Sequence, residues 1–515
     1  MNHLVVLPAV LPALTAAALL LLGRNRPAAA RALSLATTAA LLAVAAALLW
    51  QAAGGTQQVY VLGDWPAPFG IVLVADRLST LLVALTSLVG FAALTYAVQG
   101  WDARGEHFHP LFQLQLMGLN GAFLTGDLFN LFVFFEVMLI ASYCLLLHGL
   151  GAPRLRAAVH YVSINLAGSA VFLIAVSLLY SVTGTLNMAH LAERVSVLSA
   201  ADLVLAHAAG LLLLGVFAVK GALFPLYFWL PGAYASASAP VAALFSIMTK
   251  VGVYAIVRVF TLVFGDGIET TADLVRPWIL PAALATLGLA AIGALAAQRL
   301  SGLVSYLTVG SVGSMLIATA LGSPAGLSAA LYYLVHSTLA IAALFLLADV
   351  LARQRGAAAD SLRPGPAIPQ STLLGIAFLV AAATVAGLPP FSGFIGKLMI
   401  LQSAQGTSAV VWVWATVLGA SFVSVLACAR AGSLLMWTVS TQASAPRAAP
   451  ARSAEWLPFV VLLACGTLLV AYAAPVQRYT AATAAQVVER DRYIAAVLGA
   501  ARDRAPRPLP PGGRR

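Results

Sequence analysis

Three lysines in 515 residues, each inside an apolar run, are where the chemistry of this sequence is concentrated. Lys220 sits in LLLLGVFAVKGALF, Lys250 in AALFSIMTKVGVYAIV and Lys397 in PPFSGFIGKLMI. The other 25 basic residues are arginines, nearly all between the apolar runs or in the tail. Lysine is thus missing from the surface, where it costs least, and kept where an ammonium costs at least about 2.5–3.5 kcal/mol on insertion scales. A buried lysine gives up and regains a proton readily, whereas arginine keeps its charge. The residue choice points to proton exchange inside a membrane.

Few other titratable groups share that environment. Glu136, in LFNLFVFFEVMLIASY, has no charged neighbour for several turns. A lone carboxylate there would be protonated, and one beside a lysine would keep its charge, so its expected partner is Lys220 in the same half. Desolvation can cancel the attraction of such a pair, which makes it more useful as a switch than as a source of stability. His336, in LYYLVHSTLAIAALF, is the only histidine deep in the second half. Imidazole both donates and accepts a proton near neutral pH. In order, Glu136, Lys220, Lys250, His336 and Lys397 place one titratable group on each of five apolar spans, the minimum for a lateral proton relay.

The remaining candidates read as structural. Asp127 follows a Thr-Gly turn and is either a carrier or the N-cap of the next helix, two readings the sequence leaves open. Asp349 stands a few residues before Arg353 and is expected to pair with it at the interface. Arg258, on roughly the same face as Lys250, is expected to snorkel outward. His207 reads as interfacial. His107 and His109, near Glu106, read as a solvated loop rather than a metal site, and no metal site is assigned. Cys144, Cys428 and Cys465 lie singly in apolar runs and read as packing. No Walker loop, GxGxxG fingerprint, CxxC or haem histidine pair is present, so no cofactor and no redox chemistry of the chain's own is expected.

The elements that hold these groups must be membrane helices. The chain is 61% hydrophobic and 9% charged, with a mean hydropathy of +0.95, against roughly 25% charged residues in a soluble protein. Apolar runs long enough to cross a bilayer recur near residues 3–22, 33–52, 71–98, 110–128, 130–150, 161–183, 206–230, 240–265, 277–297, 303–321, 328–352, 371–404, 409–437 and 455–474. The fold class expected is an all-α polytopic membrane protein of about fourteen spans. The first run is followed rather than preceded by arginines, which reads as a retained span and not a signal peptide. Loops after odd-numbered spans hold twelve arginines, those after even-numbered spans only Arg194 and Arg276. The positive-inside rule then places both termini outside. Eight arginines from Arg478 onward break this pattern on the predicted outer side. The tail ends in PRPLPPGGRR, a disordered composition. The net charge of +11 is scattered among loops and does not suggest nucleic acid. Residues 353–370 read as a Pro/Gly-rich linker.

Two spans are too long and interrupted by proline. One carries Lys220, Pro225 and Pro231; the other carries Pro389 and Pro390 ahead of Lys397. Proline removes a backbone donor and clashes one turn back, so both helices are expected to break. Broken helices at corresponding places in two halves are a signature of internally repeated transporters.

Several segments together resemble a known family: LFNLFVFFEVMLIASY, FPLYFWLPGAYASASAPVAALFSIMTKVGVYAIVR, QRLSGLVSYLTVGSVG, LVHSTLAIAALFLLAD and AGLPPFSGFIGK. They are similar to the antiporter-like subunits shared by respiratory complex I and the multi-subunit (Mrp-type) cation/proton antiporters, over roughly residues 70–440. The resemblance implies two inverted five-helix repeats with a central charged axis: residues 1–109 for the first three spans, 110–265 and 277–437 for the repeats, 455–474 for the last span and 475–515 for a basic, partly disordered tail. By position it assigns Glu136 and Lys220 to the family's glutamate–lysine pair, Lys250 to its eighth-helix base and Lys397 to the lysine of its second broken helix. The chain departs from relatives at Ala340, where many have a lysine; at Gly232-Ala233-Tyr234, where an acid and a histidine are frequent; and at Gln298-Arg299, in place of a lysine–arginine pair. The resemblance implies a bacterial inner-membrane subunit that exchanges Na+ or K+ for protons within a hetero-oligomer of antiporter subunits. The competing expectations are a proton-pumping subunit of an NADH–quinone oxidoreductase or membrane-bound hydrogenase, and a non-conducting scaffold.

Overall fold

A computed structural model describes residues 3–22, 26–65, 69–265, 274–438 and 449–502. The chain opens with α1 (Leu7–Leu22) and α2 (Pro27–Ala53), followed by a hairpin of β1 (Gln58–Val61) and β2 (Val72–Ala75). The hairpin is antiparallel, with Gln58 opposite Ala75 and Val61 opposite Val72. Residues 72–75 correct the sequence reading, which made residue 71 the start of the third span. The run is apolar and rich in valine, which suits a strand as well as a helix. What decides it is Asp76: its carboxylate accepts from the Ser79 amide at 2.8 Å while Ser79 Oγ accepts from the Asp76 amide at 2.9 Å. This capping box starts α3 (Arg77–Ala97) at Arg77 and no earlier.

The first half continues through α4 (Phe108–Leu124), α5 (Leu128–Leu147), α6 (Ala152–Thr183), the short α7 (Met188–Val195), α8 (Ala200–Gly221), α9 (Trp229–Ser236) and α10 (Ala239–Leu262). The second comprises α11 (Arg276–Ala296), α12 (Leu300–Ala320), α13 (Pro324–Gln354), α14 (Ser371–Ala386), α15 (Ser392–Ser403) and α16 (Val410–Gly432), then α17 (Ser453–Ala471), α18 (Ala473–Val488) and α19 (Arg490–Arg502). Among the described residues, eleven helices are long and apolar enough to cross a membrane, and α1 and α14 are shorter apolar helices.

Two of these helices form the centre. Every residue of α10 except Thr261 is buried, as is most of α13. They pack on each other and are surrounded by α3, α8, α12, α15 and α17. A helix that is apolar all round belongs inside a protein, and here the two carry Lys250 and His336 into the core.

Both long spans break at their prolines. The first stops at Gly221, with Ala222 left-handed at φ 58°, and resumes as α9 at Trp229. Pro231 falls within the first turn of α9, where its missing amide costs nothing. The second stops at Ala386 with Gly387 at φ 83° and resumes as α15 at Ser392.

The sequence reading assigned the tail no helices. Residues 473–502 form α18 and α19, and PRPLPPGGRR, the stretch read as disordered, lies outside the described residues. Ala484, Val487, Tyr493, Ile494, Val497 and Leu498 are buried, which is the amphipathic face that the arginines masked. Gln486 bonds the Arg77 amide and the Gly55 carbonyl, each at 3.0 Å. Thr480 meets Ser328 at 2.9 Å and Arg490 donates to the Ala192 carbonyl at 3.1 Å. All these partners lie in or beside connections after even-numbered spans, so the tail lies at the same end of the bundle as those connections. The segment expected to be a linker is ordered as well: α13 extends to Gln354, and buried Arg355 donates to the carbonyls of Ala359, Ser361 and Arg363.

Candidate functional site

Each expected relay residue sits on a different element, and each has a hydroxyl or carbonyl partner on another. Glu136, half-buried on α5, accepts a hydrogen bond from Ser169 Oγ of α6. Lys220, 5% exposed, donates to that same Ser169 Oγ at 3.4 Å and to the Asn165 carbonyl at 3.2 Å. The expected Glu136–Lys220 pair therefore exists through a bridge. Among the described residues no direct ion pair joins the two, and the serine hydroxyl links ammonium to carboxylate.

The first helix break sets Lys220 against the core. Gly221 and Gly252 meet backbone to backbone: a Cβ on Gly252 would lie 2.3 Å from the Gly221 amide nitrogen and 2.9 Å from the Lys220 carbonyl carbon. Only glycine permits this approach of α8 to α10, and Lys250 stands two residues away. Lys250 is fully buried. Among the described residues no carboxylate pairs with it; its Nζ donates to Ser311 Oγ of α12 at 3.0 Å and to Thr249 Oγ1 at 3.4 Å.

The second break organises the other pole. Lys397 Nζ donates to the Ala386 carbonyl at 2.6 Å, one of the carbonyls that the end of α14 leaves without an intrahelical partner. The ammonium thereby faces the negative end of that helix dipole. Gly387 is favoured by its φ of 83°, and a Cβ there would press on the Lys397 side chain, 2.8 Å from its Cδ. His336 Nδ1 bonds Ser392 Oγ, at the start of α15, at 2.9 Å. Its Nε2 is buried with no hydrogen-bond partner among the described residues, 2.9 Å from where a Cβ on Gly393 would stand. His336 is within electrostatic reach of both Lys250 and Lys397. Glu136 and Lys397, at the two ends of the series, are half-buried, and the three residues between them are buried.

Several neighbours resolve differently from the sequence reading. Arg258 does not snorkel: it is buried and pairs with Asp76 at 2.6 Å, beneath the ring of Tyr493 from α19 at 5.1 Å. Asp76, which the sequence reading enclosed in the run 71–98 without singling it out, is the buried acid that pairs with this arginine. Asp127 is the N-cap of α5, accepting from the Asn130 amide at 2.8 Å, which settles its structural role. Asp349 pairs with Arg353 at 3.2 Å as expected, and also accepts from Tyr96 at 2.6 Å and Trp101 at 3.0 Å. His109 is not in a solvated loop; it is buried with its Nε2 3.2 Å from Asp102. Burial pushes the Asp102 carboxyl up, but hydrogen bonds from His109 and Arg31 outweigh it and hold the group below the usual carboxylate range. Among the described residues no group of three or more His, Cys, Asp or Glu side chains could hold a metal ion.

Ser169, Asn165, Ser311 and Ser392 are the site residues that sequence reasoning missed. Serine and threonine recur throughout these helices, bonded to a carbonyl one turn back, so type and spacing alone single out none of them.

A fold of broken helices around lysines enclosed in the bundle has recognisable relatives. The family model for NADH:quinone oxidoreductase/Mrp antiporter membrane subunits matches residues 125–424. The chain belongs to this family. It is 41% identical to the D-type subunit of a probable K(+)/H(+) antiporter from Rhizobium meliloti (strain 1021), over 98% of both chains. It is 40% identical to the D-type subunit of the Na(+)/H(+) antiporter from Bacillus subtilis (strain 168), over 78% of this chain and 80% of that one. Among solved structures, the Mrp complex from Dietzia sp. DQ12-45-1b contains a chain with a TM-score of 0.84 and 27% identity, covering 97% of this chain and 100% of that one. Lys220, Lys250, Glu136, His336 and Lys397 all fall inside the span that the family model matches.

Proposed function

We propose that this chain is the proton-carrying member of a multi-subunit antiporter that exchanges Na+ or K+ for protons across a bacterial inner membrane. It acts as a transporter subunit rather than an enzyme. The observation that carries this reading is the unbroken bridge from Lys220 through Ser169 to Glu136, inside a family that includes antiporter subunits. A proton held on Lys220 has a carboxylate two hydrogen bonds away, and any movement that separates Ser169 from either partner changes how firmly the lysine holds it.

The rest of the axis extends this logic. Protons load at Lys220, pass to Lys250, move under the influence of His336 and leave by Lys397. Pro225, Pro389 and Pro390 keep the helices broken so that backbone carbonyls face the lysines. The half-buried state of Glu136 and Lys397 supports partner subunits at both ends of the series, in a hetero-oligomer within the bilayer. One proton crossing 100 mV releases about 2.3 kcal/mol, which electrogenic exchange can couple to cation export. Fourteen spans in two inverted five-helix repeats (110–265 and 277–437), with both termini outside, complete the proposed arrangement. The location of the tail at the same end as the even-numbered connections supports that parity.

The test is cation-dependent ΔpH dissipation in everted vesicles from an antiporter-deficient host expressing the whole operon. Wild type is expected to respond to Na+ or K+ and assembled Glu136→Ala to be silent. No response from assembled wild type to either cation would contradict the reading and turn attention to NADH-driven proton pumping.

A further inference from the structure

Between Lys250 and Lys397 the structure contains a feature that the five titratable residues do not explain. A small cavity of about 20 Å³ lies between α11, α12, α13, α14, α15 and α16, room for about one water molecule. Ser311, Ser314, Tyr333, Ser421, Ser424 and Lys397 itself line it among apolar side chains. Ser311 is the residue that receives Lys250 Nζ, at 3.0 Å. One residue therefore both receives the first lysine and lines the space that the second lysine lines. His336 makes no hydrogen bond to either lysine among the described residues; its bonded nitrogen is taken by Ser392 at 2.9 Å.

We propose that protons cross from Lys250 to Lys397 through Ser311 and water in this hydroxyl-lined cavity, with His336 setting the field beside the route. The inference deepens the antiporter reading and rests on it. The transfer balances without any co-reactant. The Lys250 ammonium gives one proton to Ser311 Oγ while the serine hydroxyl releases its own to the cavity water, and the water passes a proton to the neutral Lys397 amine. One N–H bond breaks at Lys250 and one forms at Lys397, and serine and water end unchanged. The Ser311 hydroxyl now donates to the Thr308 carbonyl at 2.7 Å, and rotation about its Cβ–Oγ bond is the only movement the serine needs. A hydroxyl suits this position because it donates and accepts at once, which an apolar residue of the same size cannot do.

The experiment compares variants of the whole complex in everted vesicles, scoring cation-driven ΔpH per assembled complex. Ser311→Ala is expected to slow exchange at least tenfold, and Ser311→Thr, which keeps a hydroxyl, to retain more than half the rate. Ala420→Leu fills the cavity from α16 without replacing a titratable group and is expected to slow exchange comparably. Wild-type exchange by assembled Ser311→Ala overturns the proposal, and Ser311→Ala alone decides where Ala420→Leu fails to assemble. Wild type in the same vesicles separates the two levels. If assembled wild type gives no cation-driven ΔpH, the underlying antiporter reading fails, and if wild type responds and assembled Ser311→Ala matches it, only the cavity route fails.

Discussion

At the scale of the residue, each titratable group of the proposed relay is defined by the small polar group it touches. Lys220 and Glu136 share Ser169, Lys250 has Ser311, Lys397 has a bare helix carbonyl and His336 has Ser392. The charged members were legible in the sequence because lysine in an apolar run is expensive and therefore conspicuous. Their partners were not, since a membrane serine bonded one turn back costs little and occurs everywhere. Ser169 shows the ambiguity directly: it also donates to the Asn165 carbonyl at 3.0 Å, an ordinary intrahelical bond. Removing its hydroxyl tests which bond matters. A hydrogen bond to a charged group is worth about 1.5–3 kcal/mol, which corresponds to roughly ten- to a hundredfold in rate. Ser169→Ala is expected to slow cation-driven proton exchange by that factor with assembly intact, and Ser169→Thr to restore most of it. Equal rates for wild type and the alanine variant would show the bridge to be incidental.

At the scale of the element, proline placement made the two breaks legible, because Pro225 and the Pro389-Pro390 pair leave the backbone no continuous helix. The third span's start and the tail were not legible. Residues 72–75 are as apolar as a helix, and only the Asp76 capping box, which also needs Ser79 in place, decides against one. In the tail, arginines gave the sequence a solvated look, while the residues that dock α18 and α19 are spread thinly at helical spacing. The tightest element contact, between α8 and α10, carries its own prediction. With a Cβ on residue 252 reaching 2.3 Å from the Gly221 nitrogen, the obstruction is backbone and cannot rotate away. Overpacking of this kind costs about 1–3 kcal/mol or more. Gly252→Ala is expected to lower the amount of intact complex recovered in detergent and its melting temperature. Unchanged yield and melting would mean that the two helices do not approach so closely.

At the scale of the whole molecule, the family and its membrane character follow from the sequence. How the tail closes one end does not, because that depends on contacts hundreds of residues apart, such as Gln486 with Gly55. The shared location of tail and even-numbered connections fixes a parity that can be measured. In a chain with its native cysteines replaced, Thr56→Cys and Ala481→Cys are expected to react with a membrane-impermeant thiol reagent from one face of the membrane, and Ala357→Cys from the other. Labelling of positions 56 and 481 from opposite faces would rule the arrangement out.

The central claim is that protons travel through the buried lysines, and Lys250 tests it most directly because it is fully enclosed and has no carboxylate partner among the described residues. Purified complex carrying Lys250→Met, similar in length and uncharged, would be reconstituted in liposomes with proton and cation fluxes recorded together. Both fluxes are expected to stop while the complex remains assembled. Continued exchange at the wild-type rate would contradict the account, since protons would then be crossing by a route that avoids the centre of this chain.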